Sequence, residues 1–208
     1  MPKLNFTNEW FNDSAKDVWD KAIPILNPKK ILEIGSYEGA SACYLISKLT
    51  NIHSIELHCI DSWKGGAEHK NVIDMKKVYS RFKKNINLTI SQTSKTVDLK
   101  VHKGLSNIML PKLLNENGLG YFDLIYIDGS HQATDVITDA IMSFLLLKVG
   151  GYIIFDDYLW KFNSGSKLDS QILNCPKIAI DSFCNVFFDK IEIIPYSTRQ
   201  VFVKKTKD

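Results

Sequence analysis

The chain has 208 residues, 45% of them hydrophobic, and a formal charge of +3. That length supports one well-packed α/β domain and is short for two, and so small a charge does not argue for a nucleic-acid partner. No apolar run approaches the ~18 residues of a membrane span and no leader opens the chain, so a cytoplasmic protein without a membrane span is expected. Cys43, Cys59, Cys175 and Cys184 show neither a CxxC pair nor zinc spacing. Cys43 and Cys59 lie in apolar segments and read as buried thiols of a reducing compartment.

Along the chain, strands and helices alternate. Ser14 suits the N-cap of a helix with apolar face Ala15, Val18, Trp19, Ala22 and Ile23, ending near Pro28. Residues 1–28 are therefore expected to form a helical cap on a single domain of residues 1–208. A first strand, residues 31–34, runs into Gly35-Ser36-Tyr37-Glu38-Gly39. The next helix carries Ala42, Leu45, Ile46 and Leu49, the i, i+3, i+4, i+7 stripe of an element packed on a sheet. Gly35 suits a positive φ or a close backbone approach, and Gly39 keeps the first helical turn thin. Strand, glycine turn and helix together form a nucleotide-type site, with bare backbone at the positive end of a helix. Tyr37 replaces the second glycine of the dinucleotide fingerprint, so a pyrophosphate has no clear seat. Glu33 suits a ligand with an ammonium group or a positive centre; a strand–turn–helix without a ligand is the alternative.

A second strand covers residues 57–61, and a helix is expected over about 68–84. Lys76, Lys77, Arg81, Lys83 and Lys84 are interleaved there with Val72, Met75, Tyr79 and Phe82, the pattern of a solvated amphipathic face, with a basic docking patch as the alternative. The polar residues 85–96 predict a loop or irregular edge. A third strand, 99–103, is followed by a short helix from Ser106, then a fourth strand, 122–128, and a helix over 133–147. Gly150-Gly151 turns into strand five, 152–156, and a polar loop with Asn163, Ser164 and Gly165 leads to a helix over 176–187, with Pro176 in its first turn. Residues 191–195 and 200–204, joined by Tyr196-Ser197-Thr198-Arg199, predict an antiparallel hairpin.

In open parallel sheets ligands sit at the carboxyl ends of the strands. Asp61 ends strand two, Asp128 ends strand four, and Asp156 and Asp157 end strand five. Asp61 suits the vicinal hydroxyls of a ribose, and Trp63 either stacks on a base or packs in the core. Asp128, Asp156 and Asp157 repel one another unless protonated, solvated or bridged by a cation, and an all-oxygen set suits Mg²⁺. The alternative gives Asp157 only a loop-capping role. His131, three residues past Asp128, is the candidate general base, or else a capping or ribose-side histidine. His53, His58, His69 and His102 are scattered and read as structural or exposed.

Residues 31–39, Ile60-Asp61-Ser62-Trp63, Ile127-Asp128-Gly129-Ser130-His131 and Gly150 to Tyr158 resemble, in order and spacing, class I S-adenosylmethionine-dependent methyltransferases. The chain is similar, over about residues 10–204, to the methyltransferase 24 group and the macrocin-type sugar O-methyltransferases. The resemblance implies a Rossmann-like α/β fold: a seven-stranded, mostly parallel sheet with its last strand antiparallel and helices on both faces. It also implies a cofactor site of Glu33, Gly35, Ser36, Tyr37, Gly39 and Ser41 around the methionine part. Asp61, Ser62 and Trp63 would meet the ribose and base, Gly104 and Ser106 the adenine side, and Asp128 the strand-four rim. Asp128, Asp156 and Asp157 correspond to the Mg²⁺ ligands of metal-dependent relatives, and Asp128 and His131 to the catalytic positions.

The expected reaction is O-methylation of a small-molecule or sugar hydroxyl, with S-adenosyl-L-methionine as cofactor and Mg²⁺ as an assistant. Gly129-Ser130-His131 departs from the Gly-Asp-aromatic pattern of some sugar methyltransferases. Trp10, Phe11, Trp160, Lys161 and Phe162 suggest a lid for an amphiphilic acceptor. An NAD-dependent oxidoreductase shares the glycine turn, but Tyr37 and the terminal hairpin count against it. A non-catalytic cofactor-binding module would keep Asp61 yet need no acid cluster. A nucleic-acid methyltransferase would want a basic channel or base-flipping motif, and neither is visible. Homo-oligomerisation stays open.

Overall fold

Strand β1 (Lys30–Ile34) lies inside the sheet, hydrogen-bonded on both edges, and its side chains feed two cores at once. Ile31 joins Trp19, Leu45, Leu57 and Phe82 on one face, while Leu32 and Ile34 join Ile125, Phe144 and Phe155 on the other. Side chains that alternate between two buried faces are the mark of a sheet covered on both sides. The computed structural model describes residues 3–66, 73–161 and 172–208. Its remaining elements are α1 (Trp10–Ser14), α2 (Lys16–Leu26), α3 (Ala40–Leu49), β2 (Ile55–Asp61), α4 (Met75–Ser91), β3 (Val97–Lys103), α5 (Ser106–Asn117), β4 (Phe122–Ile127), α6 (Ala133–Leu146), β5 (Leu147–Phe155), α7 (Pro176–Val186), β6 (Ile191–Ile194) and β7 (Val201–Lys205).

The seven strands run in the order β3-β2-β1-β4-β5-β7-β6. The first five are parallel, and β7 is antiparallel to both β5 and β6, as the short terminal link requires. The order of strand addition reverses between β1 and β4, so a crevice opens there at the carboxyl ends. Among the described residues, no helix is long and apolar enough to cross a membrane, and all four cysteines are free thiols.

Three expectations are corrected. Ser14 does not cap a long helix: its hydroxyl donates to the Trp10 carbonyl within α1, and Ala15 forms the junction to α2. Helix α4 runs on to Ser91 through residues expected to form a loop. The buried stripe Val78, Phe82, Asn85, Ile86 and Thr89 explains why, because Asn85 spends its polarity on Asn5 and on the Glu38 carbonyl. The expected start of that helix, residues 68–72 with His69, lies outside the described residues, as do Phe162, Asn163, Ser164 and Gly165. Strand β5 begins at Leu147, so Gly150-Gly151 lies inside it rather than before it. The pairing with β4 shifts register between Phe122 and Leu124, and a side chain on Gly151 would come within 2.9 Å of the Asp123 carbonyl. The glycines therefore make a bulge, not a turn.

Candidate active site

The strand ladders continue into the residues that the sequence singled out. Gly35 N–H donates to the Ile60 carbonyl (2.8 Å), Asp128 N–H to Ile34 (2.8 Å) and Asp156 N–H to Ile127 (2.9 Å). These bonds fix three loop starts side by side at the crevice. Gly35 has φ +90°, and a Cβ there would lie 2.0 Å from the Asp128 carbonyl oxygen, so no other residue fits between the two strand ends.

Above these ends lies a cavity of about 870 Å³. Gly35, Ser36, Tyr37, Ser41, Asp61, Ser62, Gly104, Ser106, Asp128, His131, Asp156 and Asp157, all anticipated from the sequence, line it. The N-terminal segment closes one side through Phe6, Trp10 and Phe11. That segment is tied down by Glu38, whose buried carboxylate accepts from the Thr7 N–H (2.7 Å), the Thr7 hydroxyl (2.8 Å) and the Arg81 guanidinium.

Three expected contact residues lie off the cavity wall. Glu33 is fully buried beneath the turn, where one oxygen accepts from the Ser36 hydroxyl and the other from Ser41. Burial pushes its carboxyl above the usual range, and the two hydroxyls oppose that rise. Glu33 thus braces the glycine turn from below. Gly39, at φ +83°, starts α3 and packs against Phe82 and Ile86. Trp63 packs between Tyr79 and Phe82 at ring separations of 4.5 and 4.8 Å, and its indole N–H donates to the Tyr37 carbonyl. Asp61 links the same two loops, accepting from the Tyr37 N–H (2.8 Å) and the Trp63 N–H (2.6 Å).

The carboxylates beyond β4 and β5 are held by side chains that no sequence motif announced. Tyr126, buried in β4, reaches Asp128 (3.0 Å) and Asp156 through one hydroxyl. Gln200 donates to the same Asp156 oxygen (2.9 Å) and accepts from the Trp19 indole (3.0 Å), which ties α2 to the strand ends. Burial, then Asp156 and Asp157, push Asp128 well above the ordinary carboxylate range. Burial, then Asp157, raise Asp156 in the same direction.

Asp157 takes φ +53° and turns toward His131, whose Nε2 lies 2.9 Å from its Oδ2. The imidazole stacks on Trp160 at 3.9 Å between centroids. These arrangements do not fit the Mg²⁺ set expected of Asp128, Asp156 and Asp157. Among the described residues, no group of three His, Cys, Asp or Glu is disposed to hold an ion. The Tyr126 phenol bridges Asp128 and Asp156, the Gln200 amide donates to Asp156 as well, and His131 engages Asp157.

Asp139 escaped the sequence reading. It sits one helical turn past Asp135 on α6, 1% exposed, and faces the cavity beside Ser106. The signal was an acid between Val136 and Ala140 on the buried face of the helix, where a charge needs a reason. Tyr126 and Gln200 gave no comparable signal, since an aromatic in a strand and a glutamine beside a hairpin are ordinary.

Residues 32–158 match the family model described as a methyltransferase domain. A probable caffeoyl-CoA O-methyltransferase 3 of Dictyostelium discoideum is 26% identical over 197 residues, covering 83% of this chain and 66% of that protein. An uncharacterised protein, R132, of Acanthamoeba polyphaga mimivirus is 30% identical over 131 residues, 61% of this chain and 50% of the other. The chain thus spans between half and two-thirds of the length of these relatives. Among solved structures, an O-methyltransferase from Bacillus cereus in complex with SAH superposes with TM-score 0.62 at 18% identity, covering 99% of this chain and 84% of the other. The O-methyltransferase TomG from Streptomyces achromogenes, in complex with SAM, gives 0.63 at 14% identity over 100% and 84%. Those two likenesses bear on the fold, which they share with the sheet described above. By the match over residues 32–158, this chain belongs to the methyltransferase-domain family.

Proposed function

We propose that this chain binds S-adenosylmethionine and directs O-methylation of a small-molecule hydroxyl. The observation that carries the reading is the 870 Å³ cavity, whose wall joins the Gly35–Ser41 turn, Asp61 and the His131–Asp157 pair. That volume lies within the usual range for ligand pockets, about 300–1,000 Å³. Family membership and the O-methyltransferases among the relatives support the same reading.

When bound, S-adenosylmethionine supplies a methyl group already activated on a sulfonium centre, so alignment is the protein's main task. The amides at the start of α3 meet the anionic end of the ligand, and Asp61, held at the crevice by the Tyr37 and Trp63 amides, accepts from ribose hydroxyls. His131 takes the proton of the acceptor hydroxyl, with Asp157 orienting the ring and Trp160 fixing its plane. Trp10, Phe11 and Trp160 favour an acceptor with a ring face, such as a sugar or an aromatic alcohol. No step is assigned to a divalent cation, because Tyr126 and Gln200 already serve Asp128 and Asp156.

Titration calorimetry with S-adenosylmethionine, S-adenosylhomocysteine and NAD tests the reading. The first two should bind and NAD should not. Asp61→Ala should weaken S-adenosylhomocysteine about 10- to 100-fold, the loss of hydrogen bonds to a charged group. Tight NAD binding, or an Asp61→Ala protein with unchanged affinity, would overturn it.

A further inference from the structure

Among the described residues that line the cavity, Arg199 is the one arginine or lysine, whereas the carboxyl groups on that wall run from Asp13 to Asp157. It forms no ion pair with any of them among the described residues. Its guanidinium makes a single, long hydrogen bond there, from Nη1 to the Asp13 carbonyl at 3.5 Å. Arg81, by contrast, is locked onto Glu38. An exposed guanidinium with most of its N–H donors open, facing a ligand-sized cavity, is equipped to take an anion.

The backbone places that guanidinium. The Arg199 N–H donates to the Ser197 hydroxyl (3.0 Å), and its carbonyl accepts the Tyr158 N–H (2.9 Å). Tyr158 follows Asp157, the partner of His131, and Gln200, next after Arg199, donates to Asp156. The β6–β7 link therefore carries Arg199 to the side of the cavity that holds the proposed base. Its bond to Asp13 brings it to the N-terminal wall of Trp10 and Phe11. The size of its charge selects among anions. One guanidinium balances one negative charge, and Asp13 and Asp157 line the same cavity. A dianionic phosphate ester would keep an uncompensated charge beside them, whereas a carboxylate matches the guanidinium in charge and in two-pronged geometry.

We infer that Arg199 binds a carboxylate on the acceptor, so that the molecule methylated is a hydroxy acid, with its hydroxyl at His131 and its carboxylate at the β6–β7 link. The inference rests on the methyl-transfer reading above and adds to it the charge of the acceptor and a residue that selects it. The methyl passes from the sulfonium to the hydroxyl oxygen, the hydroxyl proton goes to His131, and S-adenosylhomocysteine leaves. The carboxylate takes no part in the bond making and serves to orient the hydroxyl. With the ring faces of Trp10 and Phe11 on the adjoining wall, a ring-bearing hydroxy acid fits best.

Methyl transfer from S-adenosylmethionine to hydroxybenzoic and hydroxyphenylacetic acids, and to their matching neutral amides, tests this on the wild type and on Arg199→Gln. The wild type should methylate at least one acid, with kcat/KM at least about tenfold above that of its amide. Arg199→Gln keeps hydrogen-bonding capacity but not the charge, so the ratio should shrink to about threefold or less, through a raised KM for the acid. Calorimetry with S-adenosylhomocysteine reports whether the variant is folded. Arg199→Met is the second variant should the first fail to fold, with the same expected compression. Amides used as well as acids by the wild type, or a ratio unchanged in the folded variant, would overturn the inference and leave the cofactor reading intact. So would a wild type that binds S-adenosylhomocysteine yet methylates none of the acids. Failure of the wild type to bind S-adenosylhomocysteine would overturn the cofactor reading itself, and this inference with it.

Discussion

Asp139→Asn should make the ligand-free protein more stable at neutral and alkaline pH, by an amount the structure sets. The carboxyl is raised from 3.8 to about 7, first by burial, against which the Ser106 bond works, and then by Asp135. A folded value above the unfolded one means that folding favours the protonated acid. The resulting penalty is absent below the unfolded value, grows as pH rises from 3.8 toward 7, and is constant above that. Three units at about 1.4 kcal/mol each give a full penalty of about 4 kcal/mol at about pH 8, of which between one and two are already felt at about pH 5. The amide escapes this penalty and keeps the Ser106 contact. Urea midpoints for both proteins at the two pH values would measure the gap between them, and groups common to both cancel in the difference. The variant's advantage should grow by about 2 kcal/mol from the lower pH to the higher, or about 4–8 °C in melting temperature. A gap independent of pH would show that Asp139 is not a buried ionisable group.

Two further outcomes test the frame and the chemistry separately. Gly35→Ala places a Cβ 2.0 Å from the Asp128 carbonyl at φ +90°, so the variant should lose more than about 3 kcal/mol of stability or fail to accumulate folded, as judged by circular dichroism and yield. Full stability would mean that β1 and β4 are not so closely apposed at the crevice. His131→Asn should lower methyl transfer about 10²- to 10⁴-fold while S-adenosylhomocysteine affinity stays within about threefold. An equal loss in binding and turnover would recast His131 as a cofactor contact.

How much of this was readable in the sequence depends on where polarity was spent. The route from β1 through Gly35 into α3 was legible, because the apolar strand and the amphipathic stripe are both local patterns. The acids at the strand ends followed from the strand register. Helix α4 was cut short because Asn85 looks like a loop residue until Asn5 and Glu38 are seen to consume its hydrogen bonds. The β5 glycines looked like a turn because nothing local distinguishes a bulge, which is decided by the register shift against β4. The Mg²⁺ set looked complete on charge alone. Tyr126 and Gln200, 74 residues apart in sequence, meet only in the folded sheet, and no spacing rule connects them.

Counting donors sorts the carboxylates of the crevice better than their positions do. Glu33 has a serine hydroxyl on each oxygen and is thereby a brace. Asp156 receives Tyr126, Gln200 and the N–H of Asp157, so it is nearly saturated. Asp61 takes the Tyr37 N–H on one oxygen and the Trp63 N–H on the other, which holds two loops in place at the crevice. Asp139, fully buried, keeps an entire oxygen without a partner among the described residues. A carboxylate in that state weakens the fold whenever it is ionised, and an asparagine or leucine there would cost the empty protein less. Asp139→Asn should therefore raise the stability of the empty protein at about pH 8, and a variant no more stable than the wild type there would refute this count of donors.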